Sequence, residues 1–308
     1  MNKYNLALIG YGYWGPKLAR NIQNSNKFKI SYIIDNSRKN LDLAKKDFPL
    51  AKQYKDYKSL NISNIDLVVI STPTKTHYEM ANYFLKSTNV LIEKPLALNL
   101  KDVLKLEKIS KKFKNKLFVD YPFIFSGSID YIRNVLKKNT YGKLIEVESF
   151  REQAPIRKDA NVIWDLGVHD ISILRYLLNK NPIKINSLKY NTIKTSQKDT
   201  AYVNLHYQNN LKVFVKNSWI SPLKIRMIKF KFERGIVICD ENEPIYKLKV
   251  FTRKKSSSPI YKLELPEIDL SEPLLNLINY VAKSLKENTN PIFDKNFNID
   301  ITKVLEKI

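Results

Sequence analysis

Apolar and polar positions alternate along this chain in two different rhythms, and the change between them falls near Pro122. In the first part, short apolar runs at residues 5–9, 30–34, 65–70, 89–92 and 116–119 read as buried strands. The stretches between them carry apolar residues at helical spacing, as at Leu18, Ala19 and Ile22, across residues 76–86, and at Val103, Leu104, Leu106 and Ile109. Residues 52–57 read only as a short polar stretch. Strands alternating with helices predict right-handed βαβ units and a parallel, doubly wound sheet.

After Pro122 the pattern is different. A helix over 129–137, a strand over 144–150 and a strong helix beginning near Trp164-Asp165 come first. Period-two strands then dominate: Ala201, Val203, Leu205 and Tyr207, a turn at Gln208-Asn209-Asn210, then Leu211, Val213 and Val215. Residues 225–232, 236–239 and 247–251 continue the pattern, which predicts a large, open, mainly antiparallel sheet with one buried face. Helices over 273–286 and 299–308 close the chain. The reading is an α/β protein: a Rossmann-type doubly wound domain over 1–121, then an α+β domain over 122–308. There is no internal repeat and no low-complexity linker beyond the short Lys254-Lys255-Ser256-Ser257-Ser258 loop.

Length agrees with two domains, because a single core rarely keeps growing through 308 residues. No apolar run approaches the ~18 residues of a membrane span. The apolar run from Leu6 to Ile9 is too short for a signal h-region. The single cysteine, Cys239, cannot form an internal disulfide. A cytoplasmic protein with no membrane partner is expected.

The formal charge of +23 raises the question of nucleic acid. Only nine of the 53 basic residues are Arg, and Lys is spread along the chain instead of clustered. A nucleic-acid surface would more often concentrate its charge and use Arg for bidentate contacts. No nucleic-acid partner is expected, although the field would attract an anionic small molecule.

Glycine is more informative. The chain has seven glycines, and three of them, Gly10, Gly12 and Gly15, fall within six residues. They form G-x-G-x-x-G between a strand and a helix, the context a dinucleotide-binding turn requires. Gly10 allows the tight turn, Gly12 lets backbone approach a pyrophosphate, and Gly15 packs the helix on the strand. The second strand ends at Asp35, placed to accept hydrogen bonds from ribose hydroxyls. That carboxylate favours NAD; Arg38, three residues on, leaves NADP open.

Two further motifs could carry chemistry. In Glu93-Lys94-Pro95, a lysine stands at the carboxyl end of a strand, where parallel sheets bind ligands, together with Ser71-Thr72-Pro73-Thr74 and Tyr121. In Asp165-x-x-x-His169, helical spacing puts a carboxylate and an imidazole on one face, a pairing suited to proton abstraction near neutral pH. A zinc reading would need a third ligand, and apart from Asp170 nothing nearby supplies one, so no metal is expected. His77 reads as a capping or packing residue near the cofactor, and His206 as facing the other side of its strand from Leu205 and Tyr207.

The glycine loop, Thr72-Pro73-Thr74-x-x-His77, Glu93-Lys94-Pro95 and Asp165-x-x-x-His169 resemble, in order and spacing, the Gfo/Idh/MocA oxidoreductases. The resemblance covers essentially the whole chain. It implies NAD(P)-dependent hydride transfer at a ring hydroxyl or carbonyl of a sugar, nucleotide sugar or cyclitol. Lys94 would be a proton relay, His169 the general acid/base, and Asp165 a supporting substrate-binding residue. Cofactor contacts would involve Gly10, Gly12, Tyr13, Trp14, Gly15, Asp35, Arg38, Ser71, Thr72, Pro73, Thr74, His77, Glu93 and Lys94. It further implies a cis Lys94-Pro95 bond, a substrate-binding and oligomerisation role for the domain over 122–308, and a homodimer or homotetramer joined through the open sheet. The wording Gly10-Tyr11-Gly12-Tyr13-Trp14-Gly15-Pro16 with Trp164-Asp165-Leu166 is similar to the branch associated with nucleotide-sugar and surface-polysaccharide synthesis. A non-catalytic dinucleotide sensor is the rival reading, since fold alone does not fix activity; a sensor would not need Lys94, Asp165 and His169.

Overall fold

The computed structural model describes residues 3–157, 160–193, 197–253, 260–289 and 296–308. The Lys254–Ser258 stretch lies outside them. By contact, the chain divides into one unit of Met1–Pro122 with Glu272–Ile299 and another of Phe123–Ser271 with Asp300–Ile308.

The first unit is built on a six-stranded, all-parallel sheet in the order β3-β2-β1-β4-β5-β6. The strands are β1 (Tyr4–Ile9), β2 (Phe28–Ile34), β3 (Lys52–Tyr54), β4 (Leu67–Ile70), β5 (Asn89–Glu93) and β6 (Leu117–Asp120). Helices α1 (Gly15–Asn24), α2 (Arg38–Asp47), α3 (His77–Phe84) and α4 (Leu100–Phe113) make the crossovers that parallel pairing demands. Leu6, Leu8, Val68, Val69, Leu91 and Ile92 are fully buried, as expected of strands covered on both faces.

Two elements here were not legible as such. The polar stretch at 52–57 begins with the edge strand β3, and α2 has only Leu41 and Ala44 buried.

The second unit holds an eight-stranded sheet in the order β14-β13-β12-β11-β7-β10-β9-β8. Its members are β7 (Leu144–Glu152), β8 (Lys184–Tyr190), β9 (Thr200–His206), β10 (Lys212–Ser218), β11 (Ile225–Phe232), β12 (Gly235–Asp240), β13 (Leu248–Thr252) and β14 (Lys262–Glu264). Every pair is antiparallel except β10 with β7. Val203, Leu205, Val213, Phe230 and Phe232 form the buried face, and helices α5 (Gly127–Lys138) and α6 (Val168–Leu178) belong to this unit. His206, between Leu205 and Tyr207, is only half-buried, on the other side of β9 from Leu205.

Helices α7 (Pro273–Glu287) and α8 (Phe297–Lys307) end the chain. The sequence division assigns everything after residue 121 to the second domain, but residues 272–299 associate with the first unit. Glu272 takes a bidentate contact from Arg20 on α1, and Tyr280 packs edge-on against Phe118 of β6. A third link comes from Asn298, which donates to Glu107 on α4 at 2.8 Å. Among the described residues no helix is long and apolar enough to cross a membrane.

Candidate active site

The turn after β1 accounts for its glycines individually. Gly10 has φ +93°, and a Cβ there would meet the Ser71 carbonyl oxygen at 2.3 Å. A Cβ on Gly15 would meet the Gly10 carbonyl oxygen at 2.2 Å, so that glycine lets α1 close against the turn. Gly12 is different: its φ is not positive, and a Cβ would meet nothing within 4 Å. Nothing in the folded chain requires glycine there, so the open space beside it is what the residue protects. No side chain caps the first turn of α1, and no acidic residue stands in it. An open cradle in front of an uncapped helix start fits a phosphate-bearing ligand.

Asp35, at the end of β2, is pinned on both oxygens. Oδ2 accepts from the Tyr11 backbone N–H at 2.7 Å and from Asn40 Nδ2 at 3.1 Å, and Oδ1 accepts from the Ser37 N–H at 2.8 Å. The carboxylate is thus fixed beside the glycine turn with lone pairs left for a ribose. Arg38 is largely exposed and pairs with Asp42 at 3.1 Å. Tyr13 is exposed, and Lys17 Nζ lies over its ring at 3.9 Å and over the Trp14 ring at 4.7 Å.

The other strand ends gather around this turn. Ser71 follows β4 and presents a buried Oγ with no partner among the described residues. Thr72 Oγ1 lies 2.7 Å from Thr76 Oγ1, and Thr74 is buried. His77 is buried between two backbone carbonyls, with Nδ1 2.8 Å from the Pro95 oxygen and Nε2 2.9 Å from the Thr72 oxygen. It therefore ties the turn after β4 to the turn after β5. Lys94-Pro95 is cis. Lys94 and Glu93 are half-buried.

One residue of this cluster escapes a reading of the sequence. Asp120, the last residue of β6, is 1% exposed, stands in register with Glu93, and accepts from Trp14 Nε1 at 2.9 Å. Tyr121, expected to join the strand-end cluster, is instead buried against Phe297. An aspartate two residues before a proline gives no one-dimensional signal of burial.

In the second unit, Asp165 and His169 do not share one regular helix: His169 is in the first turn of α6, and Asp165 lies before it. Residues Ile163–Gly167 form a π-helical turn that runs into α6, so the four-residue spacing does not carry its usual one-face meaning there. Asn161 Oδ1 holds the start of the turn by accepting from the Ile163 and Trp164 N–H groups. Asp165 accepts from Trp219 Nε1 at 3.0 Å and pairs with Arg157 at 3.5 Å. His169 packs edge-on against Phe123, whose ring also carries the Arg151 guanidinium at 4.5 Å. Arg151 in turn pairs with Asp170, which also accepts from Ser149 and Asn217. Burial pulls the Arg226 guanidinium down to about 10; the Arg151 charge adds to this, and Asp170 and Asp165 oppose it. Among the described residues no three His, Cys, Asp or Glu side chains come together as a metal site.

Comparison with known proteins follows the same two-part division. Residues 4–121 match the model of the oxidoreductase family with an NAD-binding Rossmann fold, and residues 129–238 match the GFO/IDH/MocA C-terminal domain. The chain belongs to the Gfo/Idh/MocA family of NAD-dependent oxidoreductases. It is 26% identical to the myo-inositol 2-dehydrogenase of Thermotoga maritima over 227 residues, 69% of this chain and 68% of that one. The fold is shared with UDP-N-acetylglucosamine 3-dehydrogenase of Acidithiobacillus ferrooxidans, at TM-score 0.86 and 18% identity, covering 100% of this chain and 97% of that one. It is also shared with an Agrobacterium radiobacter oxidoreductase in complex with NAD+, L-tartaric acid and magnesium, at TM-score 0.86 and 17% identity, covering 99% and 95%.

Proposed function

We propose that the protein transfers a hydride between NAD and a ring hydroxyl or carbonyl of a sugar, nucleotide sugar or cyclitol. The observation that carries this is the unfilled space at Gly12 beside the pinned Asp35 carboxylate, inside a family of NAD-dependent oxidoreductases. Gly10, Gly12, Tyr13, Trp14 and Gly15 would hold the pyrophosphate, Asp35 the adenosine ribose, with Arg38 close by. Ser71, Thr72, Pro73, Thr74, His77, Glu93 and Lys94 would border the remainder. When bound, the nicotinamide supplies hydride acceptance and donation, the chemistry no side chain provides.

Lys94, half-buried at a strand end, orients the substrate hydroxyl and relays its proton. His169 takes up or returns that proton as general acid/base, and Asp165 binds substrate and holds the arrangement. Support for these roles comes from the relatives' named activities and from the order of the motifs along the chain. We further propose that copies of the chain associate through the outward face of the large sheet, where Leu188, Tyr202 and Phe214 are exposed.

The test is a titration with NADH and NADPH, then a turnover screen with myo-inositol and UDP-N-acetylglucosamine. Lys94→Ala and His169→Ala should each lower turnover at least ~100-fold, the usual weight of acid–base catalysis, while cofactor affinity stays close to wild type. Undiminished turnover in either variant removes that residue from its role. Failure of the folded protein to bind either cofactor removes the reading altogether.

A further inference from the structure

The carboxyl of Asp120 is hard to reconcile with an ordinary ionised aspartate. It is 1% exposed at the end of β6. Oδ2 accepts the Trp14 indole N–H, but no donor reaches the buried Oδ1 among the described residues. Glu93, its cross-strand neighbour and itself a carboxyl, is also in hydrogen-bonding relation to the Asp120 carboxyl. Two carboxylates cannot hydrogen-bond without a proton between them, and a buried carboxylate oxygen lacking a donor is costly. A single shared proton removes both difficulties.

We propose that Asp120 and Glu93 hold one proton between them, and that this singly charged pair is a positioning element joining the Trp14 indole of the glycine turn to Lys94. The inference rests on the proposed function only for the role of Lys94; the proton-sharing pair stands on its own geometry.

The surroundings agree. Glu93 ends β5 and Lys94 follows it, and Trp14 comes from the turn before α1; Lys17 lies over the Trp14 ring. On other elements packed near β6, Tyr280 of α7 meets Phe118, and Glu107 of α4 acts on Tyr121. Burial raises the Asp120 carboxyl above the usual carboxylate range; Glu93, Trp14 and the Lys94 charge pull it back only in part. A pair bearing one charge sets a single carboxylate beside Lys94 in place of two. The Asp120 oxygen that accepts from Trp14 meanwhile fixes an aromatic side chain two residues after Gly12.

The test has two arms. In the first, carboxyl carbon-13 NMR of the cofactor-free protein is followed against pH. The expectation is two well-separated steps, the upper displaced above the ordinary carboxylate range, collapsing to one ordinary step in E93Q and in D120N. Two ordinary, independent titrations in the wild type overturn the proposal. In the second, NADH affinity is measured for D120N, D120A and W14F. Asn keeps both an acceptor for Trp14 and a donor for Glu93, so D120N should stay within about twofold of wild type. D120A and W14F should each weaken binding about tenfold, the equivalent of one lost hydrogen bond to a charged or polar partner. Equal affinity in all variants overturns the positioning role. If the wild type itself binds no NADH, the function proposed above fails, and the carboxyl titration still decides the shared proton.

Discussion

The imidazole of His77 is held against the carbonyl oxygen of Pro95, with Nδ1 at 2.8 Å, while its other nitrogen lies 2.9 Å from the carbonyl oxygen of Thr72. A carbonyl oxygen can only accept, so the ring N–H serves one of the two, and the tautomer decides which. In either case the ring braces the turn carrying Lys94. Nitrogen-15 NMR identifies the protonated nitrogen; a ring reorienting freely in the folded protein would show that neither contact holds it. His77→Ala leaves that carbonyl unpaired and should cost about 1–3 kcal/mol in chemical denaturation.

Asp35 gives a prediction about cofactor choice. Its carboxylate is already committed to the Tyr11 and Ser37 N–H groups, so it cannot swing away to admit a 2′-phosphate. Asp35→Ala should weaken NADH about tenfold and narrow or reverse the preference over NADPH, with Arg38 turning from Asp42 to the added phosphate. A fluorescence titration with both cofactors measures it. An unchanged preference would assign discrimination to other residues.

The difference between the glycine turn and Asp120 shows what could be read in one dimension. Three glycines within six residues stand out in a chain with seven, and their strand, helix and acid follow within sequence reach. Asp120 acquires its chemistry from burial and from register with Glu93, 27 positions away across a crossover helix. Register between parallel strands is set by packing of that helix and leaves no local trace. The π-helical turn at Ile163–Gly167 was hidden for a related reason, since spacing arithmetic assumes 3.6 residues per turn. Strand β8, mostly exposed on a sheet edge, lacks the alternation that made β9 and β10 legible.

In the second unit, Asp170 is 1% exposed and accepts from Ser149 Oγ, Arg151 Nε and Asn217 Nδ2, the last at 2.7 Å. Gly167 is part of the same arrangement, because a Cβ there would press to 2.8 Å on Asn217 Oδ1. Asp170→Ala strands the buried Arg151 charge and should cost about 3–5 kcal/mol, read from the urea midpoint. Replacing both partners, as D170L with R151M, should recover part of that loss, because the expense lies in the unpaired charge. A single-variant cost under about 1 kcal/mol would mean water reaches Arg151.

Asp199 provides the pH-dependent case. It is fully buried where β9 begins, and burial alone would push its carboxyl up. The N–H groups of Thr192 and Ile193 and the Thr200 and Thr192 side chains outweigh that, so the net displacement is downward. A carboxyl lower in the folded than in the unfolded chain adds stability that is present above the unfolded value, near 3.9, and is lost as pH falls through the folded one. Asp199→Asn removes this contribution and turns an N–H₂ group toward donors, so at pH 7 it should be less stable by about 1–3 kcal/mol. The difference should hold down to about pH 5 and shrink below about pH 4, as the wild-type carboxylate takes up its proton. Urea midpoints for both proteins at pH 7, 5, 4 and 3 (the chosen conditions) measure this. A gap that stays constant to the most acidic condition would mean that the Asp199 charge contributes nothing and that only its shape matters to the loop joining β8 and β9.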